Sequence, residues 1–232
     1  MKGSTPRRLK KYVSKCLRLK AYLQSPGDGR RAERIPAATL LWALFMGVLL
    51  RRTAFAAMEA LVDSRARTLG VSRRFGDDAL AYFTERLDPV MTRQAAVTAV
   101  HQAKRHKAFQ GCCFLGLALE GTGAGRSQEK GCDFCRPVRN QKREILGYHH
   151  QLVMVSVVGT GLTLPLDVEP YGPGDSEYKA SRRLLRRALG NLGPHFADCV
   201  VADGEYASAP FLYDVGSLGL GVVARLKNNL PE

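Results

Sequence analysis

Residues 148–168 read YHHQLVMVSVVGTGLTLPLDV, and this stretch decides the fold. Residues 148–158 are a largely apolar run, Gly159-Thr160-Gly161 supplies the residues of a tight turn, and 162–168 runs back. That pattern predicts a β-hairpin. Working outward, residues 112–119 form another continuous apolar run, which predicts a strand ending in a carboxylate, Glu120, before Gly-Thr-Gly. On the other side, Pro173, Gly174 and Asp175 open a helix with Tyr178, Leu184, Leu185, Ala188, Leu189 and Leu192 on one side and a basic stripe of Lys179, Arg182, Arg183, Arg186 and Arg187 on the other. A short buried strand is then expected at 199–202, delivering Asp203 to its C-terminal end. A helix started by Ser208 and Pro210 and a last strand over 218–226 complete the order β-β-β-α-β-α-β.

Upstream of residue 111 the periodicity is helical. Pro36 suits a helix start, and Leu40, Leu41, Leu44, Val48, Phe55, Met58 and Leu61 keep one face apolar, so one or two buried helices should run to about Val62. Asp77 or Asp78 can cap a short helix carrying Leu80, Phe83 and Leu87. Asp88-Pro89 begins another, with Val90, Val97 and Val100 inward and a basic end. These helices form either a helix-turn-helix, with LGVSRR at the turn and the start of the recognition helix, or a plain helical bundle.

Composition places these elements in a globular chain. Of 232 residues, 45% are apolar and 24% charged, with 35 Lys+Arg against 21 Asp+Glu for a net charge of +14. The excess is confined to one half: residues 1–110 hold 22 Lys+Arg and 8 Asp+Glu, and residues 111–232 hold 13 of each. The split predicts a basic, mainly α-helical DNA-binding region over 1–110, its first 34 residues a basic arm, and a neutral region over 111–232; the alternative for the charge alone is a ribosome-like or merely solubilising basic surface. The residues assigned to DNA are Arg7, Arg8, Lys10, Lys11, Arg73, Arg74, Lys104, Arg105 and Lys107. The longest apolar run, 37–50, falls short of the ~17 residues needed to cross a bilayer, and the polar, basic start does not read as a secretory signal. The cytoplasm, at the nucleoid, is the expected compartment, and the six cysteines are then expected as free thiols or metal ligands.

Three antiparallel strands followed by alternating helix and strand is the ribonuclease H-like order, so the fold expected is α/β (α+β), a mixed sheet core preceded by the helical basic region. Carboxylates at the ends of adjacent strands can share divalent cations, which makes Glu120 and Asp203 candidate ligands of Mg2+ or Mn2+; the alternative is that each is a turn or cap residue. A second candidate centre holds Zn2+. Cys132 and Cys135 lie three apart in a polar loop, His149 and His150 follow, and two thiolates with His149 and a fourth group, Cys113 or the second histidine, would suit tetrahedral zinc. The alternative is a reduced, metal-free knuckle.

The motifs LALEGT, C-x-x-C, GYHHQLVMVSVVG, LPLDVEPYGPGDSE and DCVVADGEYASAPF follow one another in register. Together they resemble the DDE-type insertion-sequence transposases with a ribonuclease H-like core, especially those related to insertion sequence four. The resemblance runs from about Leu40 to the end and is strongest over 117–227. It implies that Asp203, in VVADGEYA, is the second catalytic acid, and that Glu120-Gly121-Thr122 stands where the family has an Asp-Gly-Thr carrying the first. It further implies DNA as partner, both the terminal inverted repeats and the target, a homodimer in the DNA complex, no membrane, and strand cleavage followed by strand transfer. Glu177, in GPGDSE, is shared with the family, and so is a Cys-x-x-Cys before Tyr-His. The family's third acid, on a helix bearing Tyr-Arg-Glu-Lys, follows a long insertion that would begin at RLKNNLPE (225–232), so the resemblance implies an apparently truncated transposase. Two further expectations stand beside the enzyme: an inactive relic acting only as a DNA-binding protein, and a zinc-stabilised basic structural protein.

Overall fold

The computed structural model describes residues 29–31, 34–71, 73–159 and 161–225. The basic arm, apart from 29–31 and 34, lies outside them, as do Arg7, Arg8, Lys10 and Lys11. The chain divides into two compact units, Met1–Ala95 and Ala96–Glu232.

The first unit is helical. α1 (Ala37–Leu49) follows Pro36, α2 (Phe55–Leu69) ends at Gly70 in the left-handed conformation, and α3 (Asp77–Arg86) follows a non-helical connector. Leu40, Met46, Met58, Val62, Leu69, Leu80 and Phe83 make its core, each nearly inaccessible. Trp42 packs with them and spends its indole N–H on the Leu69 carbonyl at 2.8 Å, satisfying one of the acceptors that a helix end leaves open. α3 starts at Asp77, so Arg73 and Arg74 sit in the connector. This departs from the helix-turn-helix expectation: the helix after α2 begins at Asp77 and not at Arg73-Arg74. α4 (Pro89–Arg105) is capped by Asp88, whose Oδ1 accepts from Val90 N at 2.9 Å. Val100 is buried and Val97 partly so, but Val90, expected inward, is 45% exposed.

The second unit is a six-stranded mixed sheet with helices. Its strands are β1 (Gly116–Ser127), β2 (Arg136–Arg139), β3 (Ile145–Gly159), β4 (Leu162–Tyr171), β5 (Cys199–Ala202) and β6 (Gly221–Ala224). β3 is central: β1 pairs antiparallel along one edge, and β2 and β4 share the other, also antiparallel. β5 lies parallel to β1, and β6 parallel to β5. Leaving aside the short β2, the order is β4-β3-β1-β5-β6, the arrangement of a ribonuclease H-like sheet. Helix α5 (Glu177–Leu192) joins β4 to β5 and α6 (Ala209–Ser217) joins β5 to β6. α5 is capped by Ser176 and buries Ala180, Leu184, Leu185, Ala188 and Leu192 with Leu117, Leu119, Val153, Val155 and Val157 of the sheet.

Two departures from the expected elements bear on function. β1 does not close at Glu120. It continues through Gly-Thr-Gly to Ser127, because the long β3 offers ladder partners as far as Tyr148, and a bulge at Gly125 (φ 66°) keeps the strands in step. The basic stripe of α5 is also mostly neutralised. Arg183 pairs with Glu169 and Asp175, Arg187 with Asp167 and Glu169, and Arg182 with Asp214.

Candidate functional site

The ladder between β1 and β5 fixes the relation of the two candidate acids. Leu117 lies level with Val200 and Ala118 with Val201. Glu120 and Asp203 each lie two residues beyond the last pair of that ladder, Glu120 within β1 and Asp203 just past the end of β5 in extended backbone (φ −75°, ψ 176°). Leu117, Leu119 and Val200 are buried in the core, and strand alternation turns Ala118, Val201, Glu120 and Asp203 to the opposite face. Both acids are exposed. Asp203 also caps a short 3-10 turn, Gly204–Tyr206, through Oδ1, which accepts from Glu205 N at 2.8 Å. Two carboxylates on one face of adjacent strands are hard oxygen donors of the kind Mg2+ and Mn2+ take, and the donor set fits such an ion.

On the core face the next residue, Gly121, meets a third carboxylate. Glu177 at the start of α5 lies so close that a Cβ on Gly121 would fall within 3.0 Å of its carboxyl atoms. Tyr206 donates to Glu177 Oε1 at 2.7 Å and Tyr171 to Oε2 at 3.2 Å. Burial pushes the Tyr206 hydroxyl well above its ordinary value, with Glu177 adding to the rise, and burial followed by Glu177 does the same for Tyr171. Both phenols therefore stay protonated as donors. Glu177 is thus held by tyrosines across the sheet, while Ser176 takes the capping role. Glu120, Asp203 and Glu177 do not close into one cluster. Among the described residues the one set of three potential ligands whose atoms all lie within 4.8 Å is Cys132, Cys135 and His150.

That set corrects the expected zinc ligands. His150 Nε2 stands 3.2 Å from each of the Cys132 and Cys135 sulfurs, which are 3.8 Å apart. His149 is not in the group, and neither is Cys113, which precedes β1. The reason is alternation along β3. His149 shares the parity of Val153, Val155 and Val157, all fully buried, so His150 falls on the face of Glu120. The parity of those valines is the signal in the sequence that points to His150. Burial opposes ionisation of the Cys135 thiol, but backbone hydrogen bonds at Cys132 and Gly131, with His150 and Cys132 side chains, bring it down to about 7.

The basic residues assigned to DNA are dispersed. Arg73 and Arg74 are exposed in the first unit, where Arg73 donates to the Arg34 carbonyl at 2.6 Å and Arg74 lies 3.8 Å from Asp63. Lys104, Arg105 and Lys107 belong to the second unit. Lys104 is engaged there, donating to the Phe196 carbonyl at 3.1 Å and lying 4.2 Å from the centre of its ring. Arg105 and Lys107 are exposed. Among the described residues no helix is long and apolar enough to cross a membrane.

The sheet order and strand directions define a ribonuclease H-like α/β core. No protein-family model and no curated protein matches the chain. Among solved structures, one neighbour is the piggyBac transposase in a synaptic complex with hairpin DNA, at 16% identity and a TM-score of 0.38, covering 95% of this chain and 49% of that one. Another is the Mos1 mariner paired end complex with Mn, at 11% identity and a TM-score of 0.28, covering 98% of this chain and 70% of the other. The chain spans about half the length of the piggyBac chain.

Proposed function

We propose that the protein is a DDE-type transposase, which binds the ends of a transposable element and carries out metal-dependent DNA cleavage and strand transfer. The observation that supports this reading is the parallel ladder of β1 with β5, paired as far as Ala118 and Val201, with Glu120 and Asp203 two residues further along each chain and both exposed. Glu120 and Asp203 would hold Mg2+ or Mn2+, which when bound supplies activation of the attacking oxygen and charge stabilisation at the leaving one. The exposed Arg73, Arg74, Arg105 and Lys107, with the basic arm, would take the phosphate backbone of the inverted repeats and the target in a homodimeric complex at the nucleoid.

A Mg2+-dependent nicking assay on DNA carrying the element's terminal repeat tests it. Asp203→Ala should remove activity, and nicking that survives the change refutes the assignment. Binding should weaken steeply between 50 and 200 mM salt, as counterion release requires for a protein that neutralises several phosphates. An affinity unchanged over that range excludes the basic region as the DNA contact.

One observation favours a second reading, an inactive relative that only binds DNA. Glu120 carries one more methylene than the Asp the resembling family has, moving its carboxylate by ~1.5 Å, where functional sites tolerate roughly 0.5 Å. Activity gained in Glu120→Asp over an inactive natural chain would support it.

A further inference from the structure

We propose that Cys132, Cys135 and His150 bind a zinc ion that fastens the segment between β1 and β3 to the sheet face carrying Glu120. The ligands come from two separate places, a Cys-x-x-Cys turn closed by Cys135 N on the Cys132 carbonyl (3.2 Å) and the far end of the β1–β3 ladder, where His150 lies opposite Ala124 beside the bulge. A tetrahedral zinc with bonds of about 2.3 Å to sulfur and about 2.05 Å to nitrogen sets its sulfurs about 3.8 Å apart and each sulfur about 3.6 Å from the nitrogen. The observed separations are 3.8 Å and, twice, 3.2 Å. The sulfur pair matches, and the nitrogen is equidistant from both at about 0.4 Å less than the tetrahedral value, so an ion seated between them moves the imidazole back slightly. A three-centre hydrogen bond between the imidazole and the two thiols is the competing account of these distances, and the metal content decides between the two. The pair is not a disulfide, since both cysteines are free. Cys135 and His150 also line a cleft of about 170 Å³ bordered by Gly125, Gly131 and Tyr148, which leaves room for water as the fourth ligand.

What the ion holds follows from the next residue. Arg136 leaves the Cys-x-x-Cys turn and donates to Gln151 Oε1 (2.6 Å), to the Gly172 carbonyl (3.1 Å) and to the Asp175 carbonyl (2.8 Å), with its guanidinium 4.9 Å from the Tyr171 ring centre. The backbone of Asp133 and Phe134 approaches Gly172 so closely that a Cβ there would meet the Asp133 carbonyl oxygen at 2.8 Å. Fixing the two sulfurs to His150 therefore also fixes the turn before α5, from which Glu177 projects. The inference stands apart from the proposed reaction.

The test is the zinc content of the full chain, purified without chelator or added metal, measured by plasma mass spectrometry. About one zinc per chain is expected, kept in His149→Asn and lost in His150→Asn and in the Cys132→Ser/Cys135→Ser double variant. Zinc near zero with an intact fold, zinc retained without His150, zinc lost on changing His149 alone, or a Cys132–Cys135 disulfide in freshly purified protein would each overturn the assignment. Should the ligand variants fail to fold, the natural chain loaded with Co2+ decides the matter: thiolate-to-cobalt charge-transfer absorption of two sulfurs supports the site, and its absence refutes it.

Discussion

Gly121→Ala places one methyl group where the structure has none to spare. The backbone at Gly121 is not in a glycine-only region, so alanine can adopt it, and in an ordinary strand the change would be neutral or stabilising by about 0.5–1 kcal/mol. Here the new Cβ would fall inside the Glu177 carboxyl group. Relief requires Glu177 to swing away, giving up the Tyr206 hydrogen bond at 2.7 Å and the Tyr171 bond at 3.2 Å. Hydrogen bonds to a charged group contribute about 1.5–3 kcal/mol each, and overpacking about 1–3 kcal/mol. Glu177 is only half-buried, so water recovers part of the loss, and the net destabilisation is about 2–4 kcal/mol. With a urea slope near 2 kcal/mol/M, the midpoint falls by about 1–2 M. The assay is urea unfolding of the full chain by circular dichroism, run as a cycle with Glu177→Ala. Removing Glu177 should erase the Gly121→Ala penalty, leaving a coupling of at least about 1.5 kcal/mol. If the two changes add, or if Gly121→Ala alone is neutral, the carboxylate does not sit where the structure has it.

Three further outcomes follow from single contacts. Trp42→Phe keeps the ring packing but strips the Leu69 carbonyl of its donor, so the first unit should lose about 1–3 kcal/mol by the same denaturation measurement; an unchanged midpoint would show that water replaces the bond. Arg187→Ala should cost about 2 kcal/mol, since it leaves the buried side chain of Asp167 without its main cation, yet change DNA affinity less than twofold because that arginine is occupied within the fold; a large affinity loss at unchanged stability would make the α5 stripe a DNA contact. The Arg183 hydrogen bond holds the Asp175 carboxyl below the usual carboxylate range, so the stability it contributes is present above about pH 4 and is lost as pH falls through the lowered value. Melting temperatures of Asp175→Asn should therefore fall less steeply between pH 5 and pH 2 than those of the natural chain, and parallel curves would refute the linkage.

The second unit was legible where a segment's own pattern settles its state. The strand over 199–202 came out to the residue because a four-residue apolar run is bounded by Asp198 and Asp203, and α5 because its apolar stripe repeats over four turns. β2 was missed: Arg-Pro-Val-Arg has no strand signal of its own and forms only because the start of β3 needs a partner. The same demand carried β1 past Glu120 through residues that read as a turn. The site shows the same division. Glu120 and Asp203 were named from expected strand ends and resemblance, although β1 runs on past Glu120, and Cys132 and Cys135 were matched with His149, because choosing between adjacent histidines requires the parity of the buried valines. The tyrosine clamp on Glu177 was missed altogether, since Tyr171 and Tyr206 are 35 residues apart and meet only through the fold.

The position of Glu120 within β1 bears on what its extra methylene can do. Were it the last residue of a strand, backbone relaxation could pull the carboxylate back. It is instead followed by seven more residues of β1 and lies opposite Met154 in an unbroken stretch of the ladder. Strand spacing of about 4.7–4.9 Å holds its Cα on the β3 side, and the Glu177 carboxyl packed on Gly121 blocks a shift toward α5. Adjustment is left to the rotamer of Glu120 and to Asp203, which stands at a strand end and leads into a single 3-10 turn. Shortening residue 120 to Asp therefore changes reach from a fixed backbone point and leaves the sheet as it is. A difference in metal-dependent cleavage between Glu120 and Asp at this position would report the distance to Asp203, not the stability of the fold.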